Sequence, residues 1–284
     1  IGGRGLWVGL SDIADCLEPL VIRPDESLLR TVFEALGQLL SEYRFIWIPL
    51  LRGQWVRDYL EPALQTFPNL PIIRNRAPNY FVDLNAHPGF DNYLTSTVGA
   101  KTRKSLRYDT RQLEQLGLVE YVTYRTPDDL LRFEVEMRSI EKVSWKGRDK
   151  KGHLTRADSG GFFHELLPKL MALGRAEITA LRVNQMAIAF EIAVRRGSCY
   201  GFFHIAYLPD YHKHAAGRQL MLHNIVHAMS EGCTEFDFMQ GGHEFRKKFC
   251  TGSRELMHAF ICQRSLAGRL NHWLSRLVRR RRVD

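Results

Sequence analysis

The sequence predicts an α/β protein of the mixed, α+β kind, built as two lobes. The C-terminal lobe is a mixed sheet with an antiparallel meander flanked by helices. Three observations carry this. Over residues 1–85, apolar runs with helical spacing alternate with short strand-like runs, the order of a βαβ lobe. Further on, three alternating apolar runs are joined by the tight turns "NQ" and "RRGS", the pattern of a hairpin meander. Finally, 284 residues with 45% hydrophobic and 25% charged composition suffice for two ordered cores.

In chain order, "ESLLRTVFEALGQLLSEY" (26–43) reads as a helix, with Leu29, Val32, Phe33, Leu36, Leu39 and Leu40 at helical spacing. "RFIWIPLL" (44–51) reads as a buried strand, "WVRDYLEPALQTF" (55–67) as a helix and "NYFVDL" (79–84) as a strand. A basic helix over 93–117 carries Lys101, Arg103, Lys104, Arg107 and Arg111, with Gly117 as its stop. Arg103, Arg107 and Arg111 share a face that is either plain solvated surface or an anion contact. An amphipathic helix over 128–143 leads into a polar loop, "SWKGRDKKGH" (144–153), and then a helix over 161–173. The meander strands are 176–183, 186–194 and 199–207. A helix over 217–231 follows, with Leu222, Ile225, Val226 and Met229 as its buried stripe and Gly232 as its stop. Strand 234–239, a short helix over 243–249 and strand 255–262 end the lobe. Lobes are expected at 1–90 and 91–264, with a basic amphipathic tail over 265–284.

Forty basic against thirty-one acidic residues leave a net charge of +9, which suits anionic partners. Five scattered cysteines form no CxxC pair, so neither a disulfide framework nor a metal site is expected, and a reducing, cytoplasmic setting is. No apolar run reaches membrane-spanning length. The opening "IGGRGLWVGL" lacks the pattern of a signal peptide and reads as a chain entered partway.

Ala215, Ala216 and Gly217 strip the chain of large side chains where a helix begins. A helix N-terminus leaves backbone N–H groups unpaired and is positive in character. Bare amides there, with Arg218, Gln219 and Leu220 following, could receive a diphosphate; close packing is the other reading. Glu191 among alanines on strand 186–194 is a candidate base with a raised pKa, or a salt-bridged carboxylate. His204 is read as sharing a strand face with Tyr200, Phe202 and Ala206, either as a base or as a structural histidine. Asp237 orients an acceptor or pairs with Arg246. Trp145, Lys146 and Arg148 sit where a loop suits acceptor binding, and Lys247 is a further candidate there.

The stretches "EKVSWKGRDKKGH", "HIAYLPDYHKHAAGRQLMLHNI" and "EFDFMQGGHEFRKKF" resemble, in order, motifs of the cellulose-biosynthesis-type (CelD/BcsL-like) acetyltransferases of the GNAT superfamily, which is related to the Fem-type aminoacyl transferases. The likeness runs from about Tyr93 to Cys262. It implies two GNAT-like lobes and an acyl-CoA donor, most simply acetyl-CoA, whose pyrophosphate lies at Ala215–Leu220. It also implies a sugar or lipid-linked glycan acceptor in bacterial exopolysaccharide or cell-envelope synthesis; in that setting backbone N–H groups of strand 199–207 would support the oxyanion, and Glu191 or His204, the candidates read from the residues, would be the base. Two positions depart from the family pattern. Its Ser-Pro-Gly turn is Ala215-Ala216-Gly217, and its Tyr-Lys pair is Phe245-Arg246, whose guanidinium cannot act as a free amine. The alternatives are a Fem-type transferase using aminoacyl-tRNA, the sole setting in which nucleic acid is expected, and a non-catalytic binding subunit. The tail "LAGRLNHWLSRLVRRRR" (266–282) is either a docked helix or a peripheral contact with an anionic membrane at its inner face.

Overall fold

The computed structural model describes residues 5–7, 45–60, 76–149, 152–157, 160–240 and 244–262, with scattered positions between 31 and 62. The strands are β1 (Gly5–Trp7), β2 (Phe45–Arg52), β3 (Arg76–Asp83), β4 (Val119–Tyr124), β5 (Ala176–Val183), β6 (Met186–Arg196), β7 (Cys199–Tyr207), β8 (Glu235–Gln240) and β9 (Gly252–Cys262). The helices used below are α1 (Phe90–Thr97), α2 (Ala100–Glu114), α3 (Pro127–Val143), α4 (Trp145–Arg148), α5 (Gly160–Ala172), α6 (Ala216–Ser230) and α7 (Glu244–Lys247). The helix read over 26–43 and the tail from 266 lie largely or wholly outside the described residues.

The chain divides into two compact units, the first holding the residues up to Asn79 together with 240–242 and those from Ser253 onward. In this smaller unit β1 runs parallel to β2, and β2 pairs antiparallel with β9. The last strand thus belongs with the first two, although the sequence reading assigns it to the C-terminal lobe. Arg57 and Glu255 close an ion pair at 2.9 Å here.

In the larger unit the strand order is β3-β8-β7-β6-β5-β4. The meander is antiparallel throughout, from Val119↔Val183 across to Arg196↔Cys199, with register shifts at Leu181/Arg182 and Ile192/Ala193. The β5–β6 turn takes Asn184 and Gln185 at φ 49° and 69°, the left-handed pair that a tight hairpin needs. β7 and β8 are parallel and pair only through Cys199↔Glu235, Tyr200↔Phe236 and Gly201↔Asp237, although both strands continue.

α6 covers one sheet face, where Ala193, Tyr200 and Phe202 pack on Met221, Ile225 and Ala228 together with Tyr93 of α1. α3 covers the other, where Phe133 meets Phe190 edge-on. The buried residues of α6 are Ala216, Gln219, Leu220, Met221, Asn224, Ile225 and Ala228, whereas Val226 is 40% exposed. Of the stripe expected at Leu222, Ile225, Val226 and Met229, Ile225 is buried, Leu222 and Met229 pack partly buried against the core and Val226 is exposed, so the buried side is rotated away from Val226. Small and polar side chains let the helix lie close to the sheet, and burial of Asn224 and Gln219 follows from hydrogen bonds that apolar periodicity cannot register.

Three local outcomes differ from the sequence reading. The basic helix over 93–117 is two helices, because Val98 turns extended to bury its side chain and Gly99 starts α2 afresh. Arg103 folds back to donate to the carbonyls of Leu94, Thr95 and Val98, satisfying the open end of α1, and so does not present a free cation with Arg107 and Arg111. The "SWKG" segment is the helical turn α4 rather than a loop. Ser144 caps it, and Gly147 lies where a Cβ would sit 2.4 Å from the carbonyl oxygens of Glu141 and Lys142.

Gly117, at φ 147°, ends the segment after α2, and a Cβ there would lie 2.1 Å from the Asn184 amide. That amide accepts from Leu118 N and donates to Leu116 O, stitching the segment to the hairpin turn. Gly117→Ala is expected to cost about 2 kcal/mol, from left-handed strain plus the displaced amide. Urea unfolding measures it, and a change within about 0.5 kcal/mol contradicts this account of the turn.

Candidate functional site

The candidate site lies wholly within the larger unit, where β7 parts from β8. A one-residue bulge shapes it: Ile192 pairs with His204 and Ala193 with Phe202, leaving Phe203 as the extra residue. Tyr200 and Phe202 face α6, but the bulge turns His204 to the α3 face, against Phe190 and 4.8 Å from the His153 ring. His204 therefore does not share a face with Tyr200 and Phe202 as strict alternation implies.

At the far end of β7, a 3-10 turn (Pro209–His214) leads into α6 through Ala215, held left-handed at φ 53°, ψ 35°. That conformation costs an alanine about 1 kcal/mol. It is fixed by Ala215 N donating to His212 O, and by Arg218 N and Gln219 N donating to Ala215 O. Gln219 turns inward and donates to Asp109 O and His214 O, while Arg218 reaches Asp109 at 3.3 Å. Leu220 is fully buried. Of the six residues expected to receive a diphosphate, Gln219 and Leu220 thus brace the turn from behind. The leading amides of α6, at Ala216 and Gly217, are those that a helix leaves unpaired. Gly217 lies against Tyr207, with a Cβ position 3.1 Å from that ring.

Glu141, which the sequence reading passes over, organises the opposite face. Its carboxylate accepts from the backbone N–H groups of His153, Leu154 and Thr155 and from the Thr155 hydroxyl, at 2.7–3.0 Å in the nearest cases. Gly152 keeps the approach open, since a Cβ there would lie 2.6 Å from Glu141 Oε2. The carboxylate lies 2.6 Å from His204 Nε2, and His204 Nδ1 lies 3.0 Å from Lys146 Nζ on α4. Against burial, which pushes it up, hydrogen bonds and the facing imidazole bring Glu141 down to about 2. Burial, reinforced by the Lys146 charge, takes His204 down to about 3, so its imidazole is neutral at pH 7. Lys146 also stands 5.7 Å over the Trp145 ring. Burial raises the Tyr207 pKa, and the charge of Arg148, on the same turn as Lys146, partly offsets the rise. The structure thus brings the Trp145–Arg148 turn, His204 and the α6 entry to one end of β7.

Asp237 is nearly buried and accepts from Met239 N at 2.7 Å, while Arg246 of α7 donates to Met239 O at 3.3 Å. Both hold Met239 in its left-handed conformation, φ 59°. Lys247 is exposed and paired with Glu244 at 2.6 Å. Cys199, Glu235 and Asp237 also bring their ligand atoms within 4.8 Å of one another. There, burial and the two carboxylates push the Cys199 thiol up to about 12, which keeps it protonated. Beside the Glu141 loop, a cavity of about 560 Å³ is lined by residues including Arg138, Lys142, Thr155 and Arg156. Among the described residues no helix is long and apolar enough to cross a membrane.

Glu191 lies on the α6 face, fully buried, taking a hydrogen bond from Asn224. Its Oε1 has no hydrogen-bond partner among the described residues. Burial raises its pKa well above 4.5, with the Glu177 charge adding to the rise. It is a neutral acid sealed beneath the helix, so the partly desolvated base expected from its alanine neighbours is not what the packing produces.

A family described as "Acetyltransferase (GNAT) domain" matches residues 100–247, more than half of the chain, and the protein belongs to it. Among curated proteins none matches the sequence. Solved structures share the fold. The C-terminal DUF2156 domain of a protein assigned as a lysylphosphatidylglycerol synthetase, from Agrobacterium fabrum, aligns with a TM-score of 0.61 at 14% identity, over 89% of this chain and 78% of that one. A conserved Bacteroides thetaiotaomicron protein of unknown function aligns with a TM-score of 0.61 at 15% identity, over 85% and 76%. FemX aligns with a TM-score of 0.55 at 11% identity, over 81% and 77%. At these identities the likeness is one of fold.

Because the folded-state pKa of Glu191 is raised, the native protein holds a proton that the unfolded chain releases above about 4.5. Its contribution to stability is present in full below that value and is lost as pH rises toward the folded-state pKa. Glu191→Gln, which mimics the neutral acid, is expected to gain stability over the parent steadily between about pH 5 and pH 8. Parallel thermal unfolding curves across that range check it; a constant difference means that Glu191 is ionised in the fold.

Proposed function

We propose that the protein is an acyl-CoA-dependent N- or O-acyltransferase, acetyl being the simplest acyl group. Its acceptor is an amine or hydroxyl of a sugar or lipid-linked glycan in bacterial exopolysaccharide or cell-envelope synthesis. One observation carries the reading: α6 begins, with the small residues Ala216 and Gly217, at the end of β7, the strand that leaves β8 after Gly201. A diphosphate at that helix start directs the rest of an extended donor along the parted strand edges. There the thioester carbonyl meets β7 backbone N–H groups able to support its developing negative charge. Gly217 and Arg218 receive the diphosphate, with Ala216 buried beneath them.

Membership of the GNAT family supports the acyltransferase class. The glycan pathway and kinship with the cellulose-biosynthesis-type enzymes rest on the order of the three motif stretches. Trp145, Lys146 and Arg148 lie on the acceptor side. In this reading the protein works in the cytoplasm, with residues 265–284 touching the anionic inner face of the membrane.

Isothermal titration with CoA, acetyl-CoA and longer acyl-CoAs tests the donor. The parent is expected to bind. Gly217→Glu, whose side chain would displace the Tyr207 ring and add a negative charge at the helix entry, is expected to weaken binding at least about tenfold, equal to about 1.4 kcal/mol. Undiminished binding by the folded variant removes the diphosphate from α6. A parent that ignores CoA but binds tRNA with steep salt dependence is instead an aminoacyl transferase, whose cation face is Lys104, Arg107 and Arg111 on α2.

A further inference from the structure

Within the acyltransferase reading, on which this rests, we infer that Lys146 is the catalytic residue that meets the reacting carbonyl, and that Glu141 and His204 are positioning residues that aim it. The polarity of the row leaves one arrangement. Glu141 is held by three backbone N–H groups and a hydroxyl, all donors, so its oxygens act as acceptors. Facing it at 2.6 Å, though off the line of a good hydrogen bond, His204 Nε2 carries the imidazole proton, because a bare lone pair that close to a carboxylate oxygen would be repelled. Nδ1 is then a lone pair, and Lys146 Nζ, 3.0 Å away, is its donor. An ammonium has only donors, which fits. The groups facing His204 from the packed elements are Glu141 on α3, Lys146 on α4 and His153 in the following loop, with Phe190 and Phe203 completing its walls.

Access decides which member touches substrate. The His204 side chain has no exposed surface, whereas Lys146 is half-buried. An acceptor therefore cannot reach His204, and a base role for that imidazole has no route. His204 lies in the stretch of β7 beyond Gly201, where pairing with β8 has ended, so its lysine partner is brought beside the parted edge. In the step, the acceptor nitrogen or oxygen bonds to the thioester carbon while the carbonyl electron pair moves onto oxygen. The Lys146 ammonium faces that oxyanion. Collapse restores the carbonyl and breaks the C–S bond, CoA leaves as the thiolate, and the acceptor proton passes to water. A charge already oriented before the reaction stabilises the oxyanion without reorganisation.

The experiment uses acetyl-CoA and hydroxylamine, a small nucleophile that needs no acceptor pocket, with release of the CoA thiol as readout. Lys146→Met is expected to lose about 100-fold or more in kcat while its calorimetric affinity for CoA stays at the parental value. Lys146→Arg should recover part of the loss, because it keeps the charge. In the ligand-free parent, 15N NMR of the imidazoles should show His204 protonated on Nε2, bare on Nδ1, and not titrating between about pH 5 and pH 8. Glu141→Gln should populate the Nδ1–H tautomer and lower kcat with CoA affinity unchanged. Parental kcat in Lys146→Met, or a His204 that titrates or carries its proton on Nδ1 in the parent, overturns the inference and leaves the acyltransferase reading standing. A parent that binds no acyl-CoA overturns that reading itself, and this inference falls with it.

Discussion

One surplus residue in β7 decides the layout. If Phe203 did not bulge, His204 would point at α6 with Tyr200 and Phe202, and the Glu141 carboxylate would have no partner across the sheet. The bulge also sharpens the twist of β7 where it stops pairing with β8, so one irregularity opens the sheet and aims the imidazole. Everything placed around the opening, from the α6 amides to the Lys146 turn, is ordered relative to that displaced strand.

The two sheet faces use buried acids in opposite ways. Glu141 is surrounded by donors and stays ionised, because three amides, a hydroxyl and an imidazole replace the water it has lost. Glu191 receives one amide hydrogen bond and is driven to the neutral form. Both carboxyls are closed to solvent yet hold opposite charge states, because donors surround Glu141 whereas Glu191 lies deeper with a single one.

Much of the larger unit could be read from the sequence. The meander and its turns follow from alternation and from short polar links, and the small residues before α6 mark a helix entry with bare amides. Three things were hidden. Apolar spacing carries no mark for a bulge, so His204 was put on the wrong face. Glu141 ends an amphipathic helix, where a carboxylate ordinarily meets solvent. Its one outward sign was the small residue Gly152 in the loop that wraps it. The buried side of α6 was misjudged because Asn224 and Gln219 are buried through hydrogen bonds, which hydropathy counts as exposure.

The polar seam beneath α6 has a mechanical meaning. An apolar helix face can slide along an apolar sheet, since one methyl group substitutes for another. Asn224 against Glu191 and His227 against Glu177, at 2.8 Å, work as index pins instead. A slip of one helical turn, about 5.4 Å, would leave the Glu191 carboxyl facing hydrocarbon and take from Glu177 its imidazole partner, leaving it only Arg125 and Arg195. The axial setting of the helix is therefore keyed, and with it the height at which its first peptide groups stand above the sheet.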